Sequence, residues 1–223
     1  QFIEEIIEKF NIEYIFHTAA YKHVPIIENN PIQGIINNVL ATDYLCKAAN
    51  KSKIKKFILI SSDKAVRPTN LMGATKRLSE MIVQTYSQES KNTCFSMVRF
   101  GNVLNSSGSV VPLFKKQIAN GGPITITHPE MIRYFMTIKE ASELVLHSAS
   151  LSSGGEVFLL DMGKPLKIKD LAYQMVNLSG LSIKDASNPN GDIAIEYIGI
   201  RPGEKLYEEL LIDSNSQKTE HPL

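Results

Sequence analysis

The first apolar pattern along the chain is helical. In Phe2 to Phe10, FIEEIIEKF, the positions Phe2, Ile3, Ile6, Ile7 and Phe10 recur at i, i+1, i+4, i+5 and i+8, with Glu and Lys opposite. Glu13 to His17, EYIFH, is a short apolar run that ends in the small residues of TAA. From Pro31 the apolar positions Ile35, Ile36, Val39, Leu40 and Leu45 keep helical spacing, with the proline in a first turn. Phe57 to Ile60, FILI, is continuous, as expected of a strand buried on both faces. A helix is predicted from about Gly73 to Ser90, and a further apolar run, CFSMVRF, follows.

Strands alternating with long helices predict βαβ units and a parallel sheet, with ligands received at the strands' C-terminal ends. After Gly101 the pattern changes. Small residues gather at Asn105 to Gly108, and short strand-like pieces appear in ITIT, RYFMTI and EVFLLD. The expectation is an α/β chain in which residues 1–104, with a return at 130–165, form the sheet domain. Residues 105–129 and 166–223 would form a smaller mixed α/β substrate region.

Composition adds exclusions. Of 223 residues 43% are apolar, and 24 basic residues nearly cancel 23 acidic ones, so neither disorder nor a general nucleic-acid binder fits the formal charge of +1. Cys46 and Cys94 stand far apart, which argues against a disulfide scaffold or a zinc site and fits a reducing compartment. No apolar run approaches ~18 residues, so no span is predicted in this stretch. The opening on Gln1, already in mid-pattern, suggests a piece of a longer protein.

The strand ends carry the candidate chemistry. After the first run come Ala19 and Ala20, small residues that admit a flat ligand or simply pack tightly, and then Lys22. After FILI come Ser62, Asp63 and Lys64, a hydroxyl, a carboxylate and an ammonium that alone would also suit a solvated loop. Met72 and Lys76 lie four apart at a helix start and share a face. His17 and His23 lack helical spacing and a carboxylate partner, so packing or cofactor contact is preferred to a metal.

Four strings, HTAAYKHVPIIENNP, SSDKAVRPTNLMGATKR, VRFGNVLNSSGSVVPLF and IRPGEKLYEELL, span nearly the whole chain in one order. Together they resemble the extended short-chain dehydrogenase/reductase superfamily, and within it the nucleotide-sugar 4,6-dehydratases, most closely the long, membrane-anchored polysaccharide branch. The resemblance implies a Rossmann-like fold, NAD as cofactor and UDP-N-acetylglucosamine as substrate. It also implies a homo-oligomer, and a whole protein at the cytoplasmic face of the inner membrane. The superfamily's catalytic Tyr-x-x-x-Lys is departed from: Met72 stands at the Tyr position and a thioether is no base, whereas Lys76 remains as the ribose ligand. Methionine at that position is itself a feature of the long branch.

By the same resemblance Asp63 protonates the departing C6 hydroxyl, Lys64 removes the C5 proton and Ser62 meets the C4 oxygen. Ala19, Ala20, Lys22, Asn38, Lys76 and Gly101 would hold the cofactor. Lys22, Asn102, Arg133, Arg201 and Glu204 would hold the UDP-sugar, arginine suiting phosphate through its planar fork. An exposed Asp–Lys pair would be carboxylate and ammonium, the wrong states for acid and base, so burial would have to disfavour both charges. The rivals are a 4-epimerase of the same superfamily and a non-catalytic dinucleotide-binding module. Neither the glycine-rich fingerprint nor its acidic partner about 20 residues on occurs. The expectation is therefore that three strands precede Gln1, leaving the Tyr14–Phe16 run at an edge and the isolated chain poor at binding NAD.

Overall fold

Local patterning accounts for most elements of the computed structural model, which describes residues 2–209 and 216–223. The chain opens with α1 (Phe2–Lys9), β1 (Tyr14–His17), α2 (Val24–Asn29) and α3 (Pro31–Ile35). A π turn (Ile36–Leu40) leads into α4 (Ala41–Lys51), then β2 (Lys56–Ile60), a 3-10 turn (Asp63–Ala65), α5 (Leu71–Glu89) and β3 (Cys94–Arg99). Next come β4 (Asn102–Val103), α6 (Val110–Ala119), β5 (Ile124–Ile126), β6 (Ile132–Arg133), β7 (Phe135–Met136) and α7 (Ile138–Leu151). The last are β8 (Val157–Leu159), β9 (Leu166–Lys167), α8 (Ile168–Leu178), β10 (Ile183–Lys184) and β11 (Ile193–Tyr197).

Two compact units result: Gln1–Phe100 with Ala141–Asp161 and Glu209–Leu223, and Gly101–Glu140 with Met162–Glu208. The first holds a wholly parallel sheet in the order β1-β2-β3-β8. One face carries Phe57, Leu59, Phe95 and Met97, packed with Ile7 of α1, Cys46 and Ala49 of α4 and Val83 of α5. Ile58 and Val98 alternate to the opposite face and are buried too. The FILI run is thus an inner strand covered on both sides, as its unbroken apolar character requires. β1 stands at the sheet edge with Tyr14 and Phe16 exposed.

The second unit has its own core, in which Phe114 and Ile118 of α6 and Ala172 and Val176 of α8 pack on Ile124, Ile126 and Ile193. Its sheets are short: β10-β11-β5, parallel, and the pairs β4–β7 and β6–β9.

Several expectations change. Phe2 and Phe10 are exposed, so only the Ile3 and Ile7 side of α1 packs. RYFMTI is not one strand. A capping box at Thr137, whose N–H meets Glu140 Oε2 at 2.7 Å while its Oγ1 accepts from Glu140 N, starts α7. The domain boundary moves as well. Residues 130–140 stay with the second unit because β7 pairs with β4 and β6 with β9. Residues 216–223 join the first, where Asp161 N–H donates to the Leu223 carbonyl.

Candidate active site

In the first unit the loop after β1 is held from behind. Asn38 lies in the π turn, which rotates its side chain inward and buries it. Its amide accepts from Tyr21 N (2.7 Å) and Asn37 Nδ2 (3.3 Å) and donates to the Tyr21 carbonyl and to Thr75 Oγ1, both at 3.0 Å. All four bonding capacities are spent inside the chain. The expected direct cofactor contact of Asn38 therefore gives way to a positioning part, holding the Ala19-Ala20-Tyr21-Lys22 loop in place. Lys22 is exposed, Ala19 is exposed and Ala20 is half-buried. His17 is buried, with Nε2 2.9 Å from Thr42 Oγ1. Since Thr42 gives its own proton to the Asn38 carbonyl, His17 Nε2 is the donor. Burial, then the charge of Lys76, pulls its pKa down to about 4. Among the described residues no cluster of His, Cys, Asp and Glu could hold a metal ion.

After β2 the chain makes a 3-10 turn capped by Ser62, whose Oγ accepts from Lys64 N. Asp63 is entirely buried and Lys64 half-buried, the burial that the acid and base roles call for. Its Oδ1 accepts from Ser62 Oγ at 2.8 Å and from Lys64 Nζ at 3.0 Å, while Oδ2 has no hydrogen-bond partner among the described residues. The sequence triplet is therefore a bonded trio that joins hydroxyl, carboxyl and amine at one oxygen, an arrangement able to pass a proton.

The α5 helix backs this turn. Asn70 caps it, accepting from Gly73 N at 2.8 Å. Gly73 itself is packed so closely on the Lys64 carbonyl that an added Cβ would overlap it. Met72 and Lys76 both face inward and are buried. Lys76 Nζ donates to the Ile60 carbonyl at 2.7 Å, and burial lowers its pKa to about 8, with the Glu80 charge opposing.

One feature escaped the sequence reading. Glu80, fully buried, takes both Arg99 Nε and Nη2 at 2.6 Å, Ser61 Oγ at 2.7 Å and Arg77 Nη1 at 3.0 Å. Its signal was a Glu one turn after Lys76 and an Arg ending an apolar strand, either of which also suits a surface charge.

In the second unit Gly101 N–H points at Met162 Sδ (3.4 Å), and Asn102 uses its backbone N–H and its Nδ2 on the Tyr134 carbonyl. Arg133 is buried, with its fork on the carbonyls of Ile132, Lys205 and Leu206 and near Glu204 Oε1 (3.5 Å) and Glu208 Oε1 (3.9 Å). Here these bonds order the 204–208 segment, in place of the direct phosphate contact expected of Arg133. The Arg201 side chain is exposed, and its N–H is bound by Glu204 Oε2. No helix starts within residues 201–209, and Leu210 and Leu211 of the last motif lie outside the described residues.

A family model described as "Polysaccharide biosynthesis protein" matches residues 1–223. The chain belongs to the polysaccharide biosynthesis protein family. It is 55% identical over 209 residues to the capsular polysaccharide biosynthesis protein CapD of Staphylococcus aureus, covering 94% of this chain and 34% of that protein. This member thus spans about a third of that relative's length. It is also 35% identical over 211 residues to the UDP-glucose 4-epimerase of Rickettsia rickettsii (strain Sheila Smith), and 35% over 212 to the inverting UDP-N-acetylglucosamine 4,6-dehydratase of Campylobacter jejuni (strain 81-176). Each match covers 94% of this chain and 59% of the relative.

Among solved structures, Pen from Bacillus thuringiensis superposes with a TM-score of 0.82 at 40% identity, over 90% of this chain and 60% of that one. DesIV of Streptomyces venezuelae, a dTDP-glucose 4,6-dehydratase solved with NAD and TYD, shares the fold, with a TM-score of 0.79 at 18% identity over 93% and 67%. The family member is therefore a Rossmann-like α/β protein related to the nucleotide-sugar epimerases and dehydratases of the extended short-chain dehydrogenase/reductase group. No helix among the described residues is long and apolar enough to cross a membrane.

Proposed function

We propose that this chain carries the catalytic and substrate-binding residues of a UDP-N-acetylglucosamine 4,6-dehydratase, an NAD-dependent hydro-lyase forming a 4-keto-6-deoxy sugar for bacterial polysaccharide. The observation that carries the reading is the bonded Ser62–Asp63–Lys64 trio at the end of β2. Relatives of both reaction types match at 35% identity, so the choice between them rests here on the trio. A 4-epimerase needs a base at C4 and no proton donor at C6. The chain has a thioether where a Tyr base would stand, and a carboxyl–amine pair beside it.

The residues fit the cofactor. The ammonium of Lys76 has three donors and gives one to the Ile60 carbonyl, which supports it as the ligand of two ribose hydroxyls. Ala19, Ala20 and Lys22, in the loop that Asn38 secures, would line the remainder, and Gly101 is a further candidate for the cofactor. Bound there, NAD would supply a hydride acceptor and donor that leaves the reaction redox-neutral overall.

The protein's part is to move protons. The C4 hydroxyl proton passes through Ser62 Oγ to Asp63 Oδ1, and Asp63 supplies the proton that leaves with the C6 hydroxyl as water. Lys64 Nζ removes the C5 proton and gives it back to the same carbon, so one proton departs in water and the other returns. Asp63 has no exposed side-chain surface, and half-buried Ser62 and Lys64 are the groups through which it reaches substrate. Arg201 and Asn102 would meet the diphosphate and Glu204 the ribose hydroxyls, with Arg133 ordering the segment that carries Glu204. A homo-oligomer and a membrane-anchored whole protein belong to the same reading. The exposed row Ile32, Ile36, Leu40 and Tyr44 on α3–α4 is apolar surface suited to the former.

The test is incubation of the full-length protein with NAD and UDP-N-acetylglucosamine. A product lighter by one water, with a C4 ketone in its NMR spectrum, is expected. Asp63→Asn and Lys64→Ala should each abolish it. A product of unchanged mass with inverted C4 would instead establish the epimerase, and turnover surviving either substitution would remove that residue's role.

A further inference from the structure

Behind the Ser62–Asp63–Lys64 turn lies an ion cluster that the proton movements above leave unused. Glu80 has no exposed surface, and its carboxylate holds four donors at 2.6–3.0 Å, from Arg99, Ser61 and Arg77. Arg99 is the last residue of β3, and Ser61 is the first after β2. One carboxylate therefore ties together the ends of two neighbouring strands. Backbone bonds continue the join: Ser61 N donates to the Val98 carbonyl at 2.7 Å, and Asp63 N to the Phe100 carbonyl at 3.1 Å. Lys76, one turn before Glu80, binds the carbonyl of Ile60, the residue that precedes Ser61. The bonds of Ser61, Asp63 and Lys76 thus converge on the chain just before and within the reaction turn. A buried ion pair is weak stabilisation, since apolar residues of similar volume often serve as well. Its geometry accounts better for its presence.

We propose that Glu80 is a positioning residue for the dehydration: through Ser61 and Arg99 it fixes the strand ends that present Ser62, Asp63 and Lys64. The kinetic part of this inference rests on the dehydratase reading.

The electrostatics support it. Burial by itself pushes the Glu80 carboxyl up, but the Arg99 hydrogen bonds and charge, with Ser61 and Arg77, outweigh it and hold the group below its ordinary value. Burial draws Lys76 down to about 8, and Glu80 acts in the opposite direction. The elements around Lys76 bring His17 from β1, Asp63 and Lys64 from the turn, and Arg99 from β3. Two other acids on helices packed against α5 are engaged elsewhere: Glu28 on Leu71 N and Asp43 on the Tyr86 hydroxyl. Glu80 is the anion whose charge acts on Lys76.

The experiment compares Glu80→Gln, Glu80→Asp and Ser61→Ala in the full-length protein with NAD and UDP-N-acetylglucosamine. Glu80→Gln removes the charge. It should lower kcat about tenfold to hundredfold with KM little changed, and move the basic limb of the kcat–pH profile down by about one unit. Glu80→Asp keeps the charge but shortens the reach, so kcat falls while the limb stays. Ser61→Ala should behave like Glu80→Asp. A folded Glu80→Gln with the wild-type kcat and basic limb would overturn the proposal, as would losses confined to Tm or KM. Should Glu80→Gln fail to fold, wild-type kcat in both other variants overturns it.

If the wild-type protein releases no dehydrated product, the functional reading falls by itself, and positioning is read without turnover. Amide hydrogen exchange of residues 61–65 in the ligand-free protein should then be faster in Ser61→Ala and Glu80→Asp, with the α5 interior unchanged. Unaltered exchange there would count against the proposal.

Discussion

His17 shows at the residue scale what a contact decides that a letter does not. Its sequence context left packing and cofactor contact open, and burial makes it a neutral donor to Thr42 with a pKa of about 4, against an ordinary 6.5. The folded value lies below the unfolded one, so between pH 6.5 and about 4 the unfolded chain binds a proton that the fold does not. The associated stability is complete above pH 6.5 and is lost as pH falls through that window, up to about 3 kcal/mol. Urea unfolding at pH 7.5 and 5 should show this loss in the wild type and much less of it in His17→Gln. An equal loss in both would refute it. Asp63 teaches the same lesson. Its neighbours Ser62 and Lys64 were readable as a triplet, but complete burial follows only from the packing of α5 and the end of β3 around the turn.

At the scale of elements, the start of α5 fits the reaction turn through three residues with different tasks. Asn70 caps the helix, Gly73 lets it approach the Lys64 carbonyl, and Met72 with Lys76 turns inward. Periodicity predicted the helix and the shared face of Met72 and Lys76. It was silent on Gly73, because the need for a missing Cβ arises from a strand-end turn that the helix meets in space. Gly73→Ala should displace the Lys64 backbone, costing about 1–3 kcal/mol of stability and lowering kcat more than it raises KM. Thermal unfolding beside steady-state kinetics checks both, and wild-type kcat would show that the turn tolerates the displacement. The π turn is the opposite case. A helix from Pro31 was legible, but the extra residue that turns Asn38 toward Tyr21 was not, since helical periodicity averages over it.

Across the whole molecule, the two units divide the proposed work. The trio, Lys76 and Glu80 belong to the first, and Asn102, Arg133, Arg201 and Glu204 to the second. Substitutions should divide likewise. Arg201→Ala removes the proposed charged diphosphate contact and should weaken UDP binding by about 2 kcal/mol, roughly thirtyfold, as titration calorimetry would measure. Its kcat at saturating substrate should stay near wild type, whereas Asp63→Asn should bind UDP normally and turn over nothing. Unchanged UDP affinity in Arg201→Ala would move the phosphate contact to another side chain.

The amino-acid order by itself determined the alternation of helices and strands, the inner place of FILI and the grouping of Ser62, Asp63 and Lys64, because each is a property of neighbouring residues. Tertiary structure alone decided that Arg99 meets Glu80 across 19 residues, that Arg133 is spent on a segment about 70 residues away, and that Asn38 joins a loop 17 residues before it to a helix 37 residues after it. Charge and amide groups are satisfied by whatever the fold brings within hydrogen-bond reach, and no local pattern records that partner.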